Sequence, residues 1–285
     1  MWNLDLIRCR EAWEIERGSP DVVIVVADQG VNLRDTRLGG KFVNRGDRDW
    51  NFINGQTNSS PEDVARHHGT AISGVISAVP SASSVIAGVA PGCLLVPMKL
   101  YQGSLSSITL RKCLDEIMNL AQSMSDTRVV VNMSFNVDDC ETVEAKLWSC
   151  VQLGIVLVAS AGNLAETDAR HFPSDYDTVI SVGALGPDYQ FAAEYSNRGQ
   201  RIDICAPGGL GIKGDPEQDL LTLDSGDRTR RAYGTSYAAP HVAAAAALVI
   251  SRKLRSGQVL APQEVREVLV SSARNIDAEN PAFVG

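Results

Sequence analysis

Five short runs of apolar, largely β-branched residues punctuate the chain: DVVIVVAD at 21–28, LLVPMKL at 94–100, RVVVNMSF at 128–135, GIVLVASA at 154–161 and TVISVGAL at 178–185. They are nearly continuous in apolar character rather than alternating, which predicts strands buried on both faces. Helical patterns lie between them: HGTAISGVISAV at 68–79, SSITLRKCLDEIMNLAQSM at 106–124 and ETVEAKLWSCVQL at 141–153. An alanine-rich, almost uncharged helix follows Ser236 in YGTSYAAPHVAAAAALVI, 233–250, and APQEVREVLVSSARNI, 261–276, opens with the Pro and Gln-Glu of a helix start. Strands alternating with helices predict an α/β fold, a mostly parallel central sheet with helices on both faces, joined by right-handed crossovers. No stretch is rich enough in Pro, Gly or Ser to divide the 285 residues, so one domain over 1–285 is expected.

Ligands of such folds sit at the carboxyl ends of the strands. Asp28 follows the first strand, Asn163 closes GIVLVASAGN, and His68 and Ser236 each stand at a helix start. All four can therefore meet along one sheet edge. Taken singly, each has a structural alternative. Ser236 can simply cap its helix, Asp28 can end its strand in a turn, and Asn163 can stabilise the turn after its own strand. His68 has His67 as a neighbour, and the pair could be surface or metal-binding residues. Taken together, their chemistry is complementary. Serine becomes a nucleophile when an imidazole takes its proton, and a carboxylate fixes the tautomer and charge of that imidazole. An amide donor beside a helix N-terminus can hold an oxyanion.

The motifs around these residues make the resemblance specific. VVIVVADQG resembles the aspartate strand of the subtilisin-like serine proteases, HGTAISG their histidine motif, GTSYAAPHVA their serine motif, and SAGN the segment carrying their oxyanion asparagine. GVAPGCLLVPMKL and DICAPG are further matches, so the resemblance runs from about Trp2 to about Asp277. It implies a three-layer subtilisin-like fold and a serine endopeptidase working through an acyl-enzyme. Ser236 would attack, His68 would act as base and then acid, Asp28 would orient His68, and Asn163 would stabilise the oxyanion. Only His68 of the two adjacent histidines is followed by Gly-Thr, so His67 is read as structural. His241 is read as a packed helical residue and His171 as a loop residue near the substrate cleft. Two alternatives remain open: a pseudoprotease that binds peptides without cutting them, and a peptide-maturation protease or macrocyclase.

The family binds an extended peptide as an added strand. That implies substrate contacts from Gln102 and Gly103 in KLYQGSLSS, from Ser134, Phe135 and Asn136 in NMSFN, and from Ser160, Ala161 and Gly162 in ASAGN. Asn136 replaces a usual glycine and is expected to narrow the cleft, while Gln29 replaces the usual Ser or Thr after the aspartate. The chain reaches FPSDY soon after Asn163, which implies a shortened pocket loop. Its acids Glu166, Asp168, Asp175 and Asp177 read as a solvated acidic loop, with a preference for basic substrates as the alternative.

No cofactor is required by this chemistry. The loop SAVPSASSVIAGVAP, 77–91, lacks the asparagine that commonly binds calcium in the family, so no tight site and no metal-ligand residues are expected there, though a weaker structural calcium elsewhere stays open. A formal charge of −8 argues against a nucleic-acid partner. No apolar run reaches the roughly 18 residues of a membrane span, and the charged N-terminus has no signal-peptide core. The six scattered cysteines suggest reduced thiols, with a Cys140–Cys150 bridge as the one pairing left open. A monomeric, cytoplasmic enzyme is the expectation, or a domain excised from a longer chain.

Overall fold

The computed structural model describes residues 1–43, 50–53, 67–80, 85–124, 126–211 and 215–280. Seven strands form the central sheet: β1 Val22–Asp28, β2 Trp50–Asn51, β3 Leu94–Lys99, β4 Arg128–Met133, β5 Val156–Ser160, β6 Ile180–Leu185 and β7 Ile204–Pro207. Their order is β2-β3-β1-β4-β5-β6-β7, and every pair is parallel. Such a sheet must be covered on both faces, and two separate cores do this. Val22, Ile24 and Val26 of β1 join the core under α3 His68–Ser77 and α6 Thr235–Arg255. Val23, Val25 and Ala27 face the other way, towards α4 Ser107–Ser123 and α5 Glu141–Gln152. The unbroken apolar run of β1 therefore serves two layers, as its pattern predicts.

Pro97 sits inside β3, where a ladder hydrogen bond would be lost. Leu95 directs both its N–H and its carbonyl away from β1, to Lys41 O and from Val43 N, and Pro97, two residues on, shares that side. The missing donor thus faces outward, and β3 keeps its pairing to β1.

Helix α6 contributes Ala238, Ala239, Ala243, Ala244, Ala246 and Ala247, all buried, to its contacts with α3 and the sheet. Small side chains let the helix lie close against both. Pro240 removes the N–H that would bond the Ser236 carbonyl four residues back. That carbonyl instead accepts the hydroxyl of Ser134 at 2.8 Å.

Several elements go beyond the sequence pattern. The N-terminal stretch folds as α1 Trp2–Leu6 and α2 Cys9–Ile15, anchored by buried Leu4 and Cys9. Buried Asn3 donates to His241 Nε2 at 3.0 Å, tying α1 to α6. An antiparallel hairpin, β8 Leu220–Leu223 and β9 Thr229–Ala232, precedes α6, while the helix expected over 261–276 forms as α7 Pro262–Ser272. All six cysteines are free thiols. Among the described residues no helix is long and apolar enough to cross a membrane, and no group of three or more His, Cys, Asp or Glu residues is placed to hold a metal. Residues 81–84 of the loop considered for calcium lie outside the described residues.

Candidate active site

Asp28 ends β1 at the carboxyl edge of the sheet and is fully buried. A lone carboxylate there would be costly. Two donors compensate: the Gln29 backbone N–H at 2.7 Å and His68 Nδ1, 2.9 Å from both carboxylate oxygens. The residue type at 29 is therefore immaterial to the bond it makes, since the backbone supplies it. His68 opens α3, and its side chain is 24% exposed. Burial opposes charging this ring, and Arg230 does so more weakly, but the charge and hydrogen bond of Asp28 outweigh both and raise its pKa above the ordinary histidine value. Held by Asp28 through Nδ1–H, the imidazole keeps Nε2 as its proton acceptor. Gly69 permits this approach, because a Cβ there would stand 2.4 Å from the Gly30 carbonyl oxygen and 3.1 Å from the Asp28 Cβ.

Ser236 lies in the first turn of α6, and its neighbour Tyr237 meets the His68 ring edge to face, 5.5 Å between centroids. The Ser236 hydroxyl donates to the Ser134 carbonyl at 3.3 Å, not to His68. A rotation about its Cα–Cβ bond is thus the motion needed to engage the imidazole. Ser134 grips the same residue from the other side through the carbonyl freed by Pro240, and Asn132 donates to the Ser134 hydroxyl at 2.9 Å.

Asn163 follows Gly162, whose φ of +103° suits glycine. Its Oδ1 accepts from Thr235 N at 2.9 Å and Thr235 Oγ1 at 2.7 Å. With the oxygen committed to two donors, Nδ2 is left as the free end of the amide, beside Gly234. The turn itself is held by Asn197, which donates to the Ala161 carbonyl at 2.9 Å and accepts from Leu164 and Glu166 N–H. Thr235 and Asn197 are functional supports that the sequence does not single out.

The structure thus brings Asp28, His68, Ser236 and Asn163 to one edge. Gln102 and Gly103 occupy the loop after β3, and exposed Asn136 follows β4. Ser134, Phe135, Ser160 and Ala161 have buried side chains, so only their backbones can meet a substrate. Phe135 packs on Tyr101 at 6.1 Å, inside the core with α4 and α5. His67 turns to Asp224, 3.1 Å away, beyond the end of β8. His241 is buried, with burial lowering its pKa to about 4. The acidic loop is only partly solvated: Asp175 is nearly buried, 3.3 Å from Arg170 and 3.7 Å from Arg201.

Comparison with known proteins agrees with this architecture. Residues 19–284 match the model of the subtilase family, and the chain belongs to that family. A thermophilic serine proteinase of a Bacillus species (strain AK1) is 30% identical over 95% of this chain and 61% of its own length. Subtilisin DY of Bacillus licheniformis is 30% identical over 90% of this chain and 85% of its own. The crystal structure of a lanthipeptide protease superposes with a TM-score of 0.77 at 25% identity, covering 95% of this chain and 84% of that one. Coverage of the curated relatives varies, and the chain spans less than two thirds of some of them, 48% of an extracellular basic protease from Dichelobacter nodosus.

Proposed function

We propose that the chain is a serine endopeptidase hydrolysing peptide bonds through an acyl-enzyme. The observation that carries this reading is the buried Asp28 carboxylate bound to His68 Nδ1, with Ser236 at the start of α6 beside it. The Ser236 hydroxyl swings from the Ser134 carbonyl to His68 Nε2 and attacks the substrate carbonyl carbon, its proton passing to Nε2. Negative charge develops on the carbonyl oxygen, towards Asn163 Nδ2 and the Ser236 N–H at the positive end of α6. Collapse expels the amine, which takes the proton from His68, and leaves an ester on Ser236. Water then attacks that ester by the same route. Asp28 stays ionised throughout and stabilises the imidazolium. The peptide substrate lies extended between the 100–106 loop and the 134–136 segment, in the manner of an added strand. Neither a metal nor an organic cofactor enters any of these steps.

A second reading, favoured by the likeness to a lanthipeptide protease, is a maturation enzyme dedicated to one peptide precursor. Mass spectrometry of the products in 18O-labelled water tests the chemistry. Incorporation of one labelled oxygen at the new carboxyl terminus supports hydrolysis. Unlabelled cyclic product indicates acyl transfer to an amine, and bound but uncut peptide indicates a pseudoprotease.

A further inference from the structure

Arg228, Arg230 and Arg231 lie on or beside β9, and the outer two are engaged. Arg228 donates to the carbonyl and the hydroxyl of Ser225, each at 3.2 Å, and Arg231 to the carbonyls of Glu217 at 3.3 Å and Asp219 at 3.1 Å. Arg230 stands apart. Among the described residues no hydrogen bond or ion pair holds its guanidinium, although its Nε is closed off from solvent. A donor buried without a partner is costly, and a native one calls for an explanation. Its position supplies one. Arg230 pairs with Thr222 of β8, and residues directly opposite share a face of the hairpin. The Thr222 hydroxyl donates to the Ala71 carbonyl of α3 at 2.7 Å, and Asp224, just beyond β8, meets His67 at 3.1 Å. The face that carries Arg230 is thus turned to the first turn of α3, where His68 stands. On the reading of Ser236 as the acylated nucleophile, we propose that Arg230 is a specificity-determining residue that binds a carboxylate on the departing side of the scissile bond, so that the enzyme prefers an acidic residue, or a chain end, immediately after the cut.

The side follows from the path of the chain. The acyl part of the substrate lies by the 100–106 loop and the 134–136 segment, whereas the hairpin packs on α3 and runs through Tyr233 and Gly234 straight into α6. The amine that takes its proton from His68 Nε2 leaves past Tyr237, towards Arg230. The guanidinium is close enough to act on both residues. Burial opposes the charging of His68 and Arg230 adds to it, against Asp28; burial also holds the Tyr237 phenol neutral, and Arg230 pulls the other way. The charge of the ligand follows from what is already committed. Asp224 lies against His67 and accepts the Ser225 N–H, and Asp227 accepts the Thr36 N–H, so neither acid of the hairpin pairs with Arg230. An uncompensated cation disfavours the imidazolium that forms as Ser236 attacks. A substrate carboxylate on the guanidinium offsets that penalty as well as binding, so its effect reaches kcat and not KM alone.

The test starts from a peptide that the enzyme cuts in a mixed library, remade with Glu, Gln or Lys immediately after the cut and amidated at its end. A second pair stops at that residue, as Ala, with a free or an amidated carboxyl. Active enzyme is counted by fluorophosphonate titration. The wild type is expected to favour Glu over Gln, or the free carboxyl over the amide, by at least about tenfold in kcat/KM, the scale of one hydrogen bond to a charged group. The first preference assigns the site to an acidic side chain, the second to a chain end, and Lys is expected to be the poorest of the series. Arg230→Gln should abolish the preference and Arg230→Lys should retain part of it, a change of ratio that a purely structural role would not produce. Thermal unfolding shows that each variant is folded. A labelled wild type that shows neither preference overturns this inference alone, as does one that cuts no acidic peptide, or a folded Arg230→Gln with unchanged ratios. A wild type that takes no label and cuts no peptide overturns the protease reading, and this inference with it.

Discussion

Replacing Asp28 with asparagine keeps the shape of the side chain and removes its charge from a fully buried position. In the native protein both carboxylate oxygens lie 2.9 Å from His68 Nδ1, so the imidazole must carry its proton there. An asparagine oriented with its oxygen on the Gln29 N–H presents an NH2 group to Nδ1. The ring then moves its proton to Nε2, the atom that must be free to accept from Ser236. Loss of the correct tautomer and of imidazolium stabilisation lowers kcat by about 10⁴, equivalent to about 5.5 kcal/mol in the barrier. The pH dependence carries a second signature. Burial and Arg230 lower the His68 pKa, and only Asp28 raises it. Wild-type kcat/KM therefore falls with acid through a value above the ordinary histidine pKa of 6.5, because activity needs neutral His68. In Asp28→Asn the residual activity should hold to lower pH. Peptide hydrolysis from pH 4 to 9, with active sites titrated, measures both. A loss smaller than tenfold, or an acid limb that stays where it was, would refute the coupling of Asp28 to His68.

Other consequences follow from the same contacts. Asn163→Ala should lower kcat about 10²–10³-fold with little change in KM, the loss expected of one oxyanion donor. Gly69→Ala forces a methyl against the Gly30 carbonyl at 2.4 Å, and should cost about 1–3 kcal/mol in urea unfolding while separating His68 from Asp28. Asn3→Ala leaves the buried His241 Nε2 without its partner, while Nδ1 keeps the Tyr237 carbonyl, and should destabilise the fold by about 1–3 kcal/mol, with the triad chemistry intact in the protein that remains folded. Acid should weaken the fold through His241. Its folded pKa of about 4 lies below the unfolded value of 6.5, so its contribution is complete above 6.5 and falls away towards pH 4, by about 3 kcal/mol in all. Urea midpoints at pH 7 and 4.5 check this, and His241→Gln should flatten the difference.

The strands that order the site were legible because β1, β3, β4, β5 and β6 are apolar runs buried on both faces. The hairpin was not: β9 reads Thr-Arg-Arg-Ala, with Ala232 its one buried residue, so no apolar pattern marks it. Strand β2 is two residues long and β7 four, too short for periodicity to register. The N-terminal helices hide among charged residues, with Leu4 and Cys9 as their main buried anchors. Within the site, Asp28, His68, Ser236 and Asn163 stand in local motifs and at predictable element ends. Their supports do not. Ser134 and Ser236 meet across 102 residues, and Asn197 reaches the Asn163 turn from 33 residues away through backbone contacts that side-chain type does not announce. Of the acids after Asn163, Glu166, Asp168 and Asp177 are exposed, as a solvated loop requires, and Asp175 alone is drawn in beside arginines whose approach is set by the fold.

The central claim is that Ser236 is a nucleophile activated by the Asp28–His68 pair. Treating the purified chain with a fluorophosphonate and measuring its intact mass tests this most directly. A single adduct is predicted on the wild type, absent from Ser236→Ala and strongly slowed in Asp28→Asn. A folded wild type that takes no adduct, or one labelled equally after Ser236 is replaced, would contradict the account.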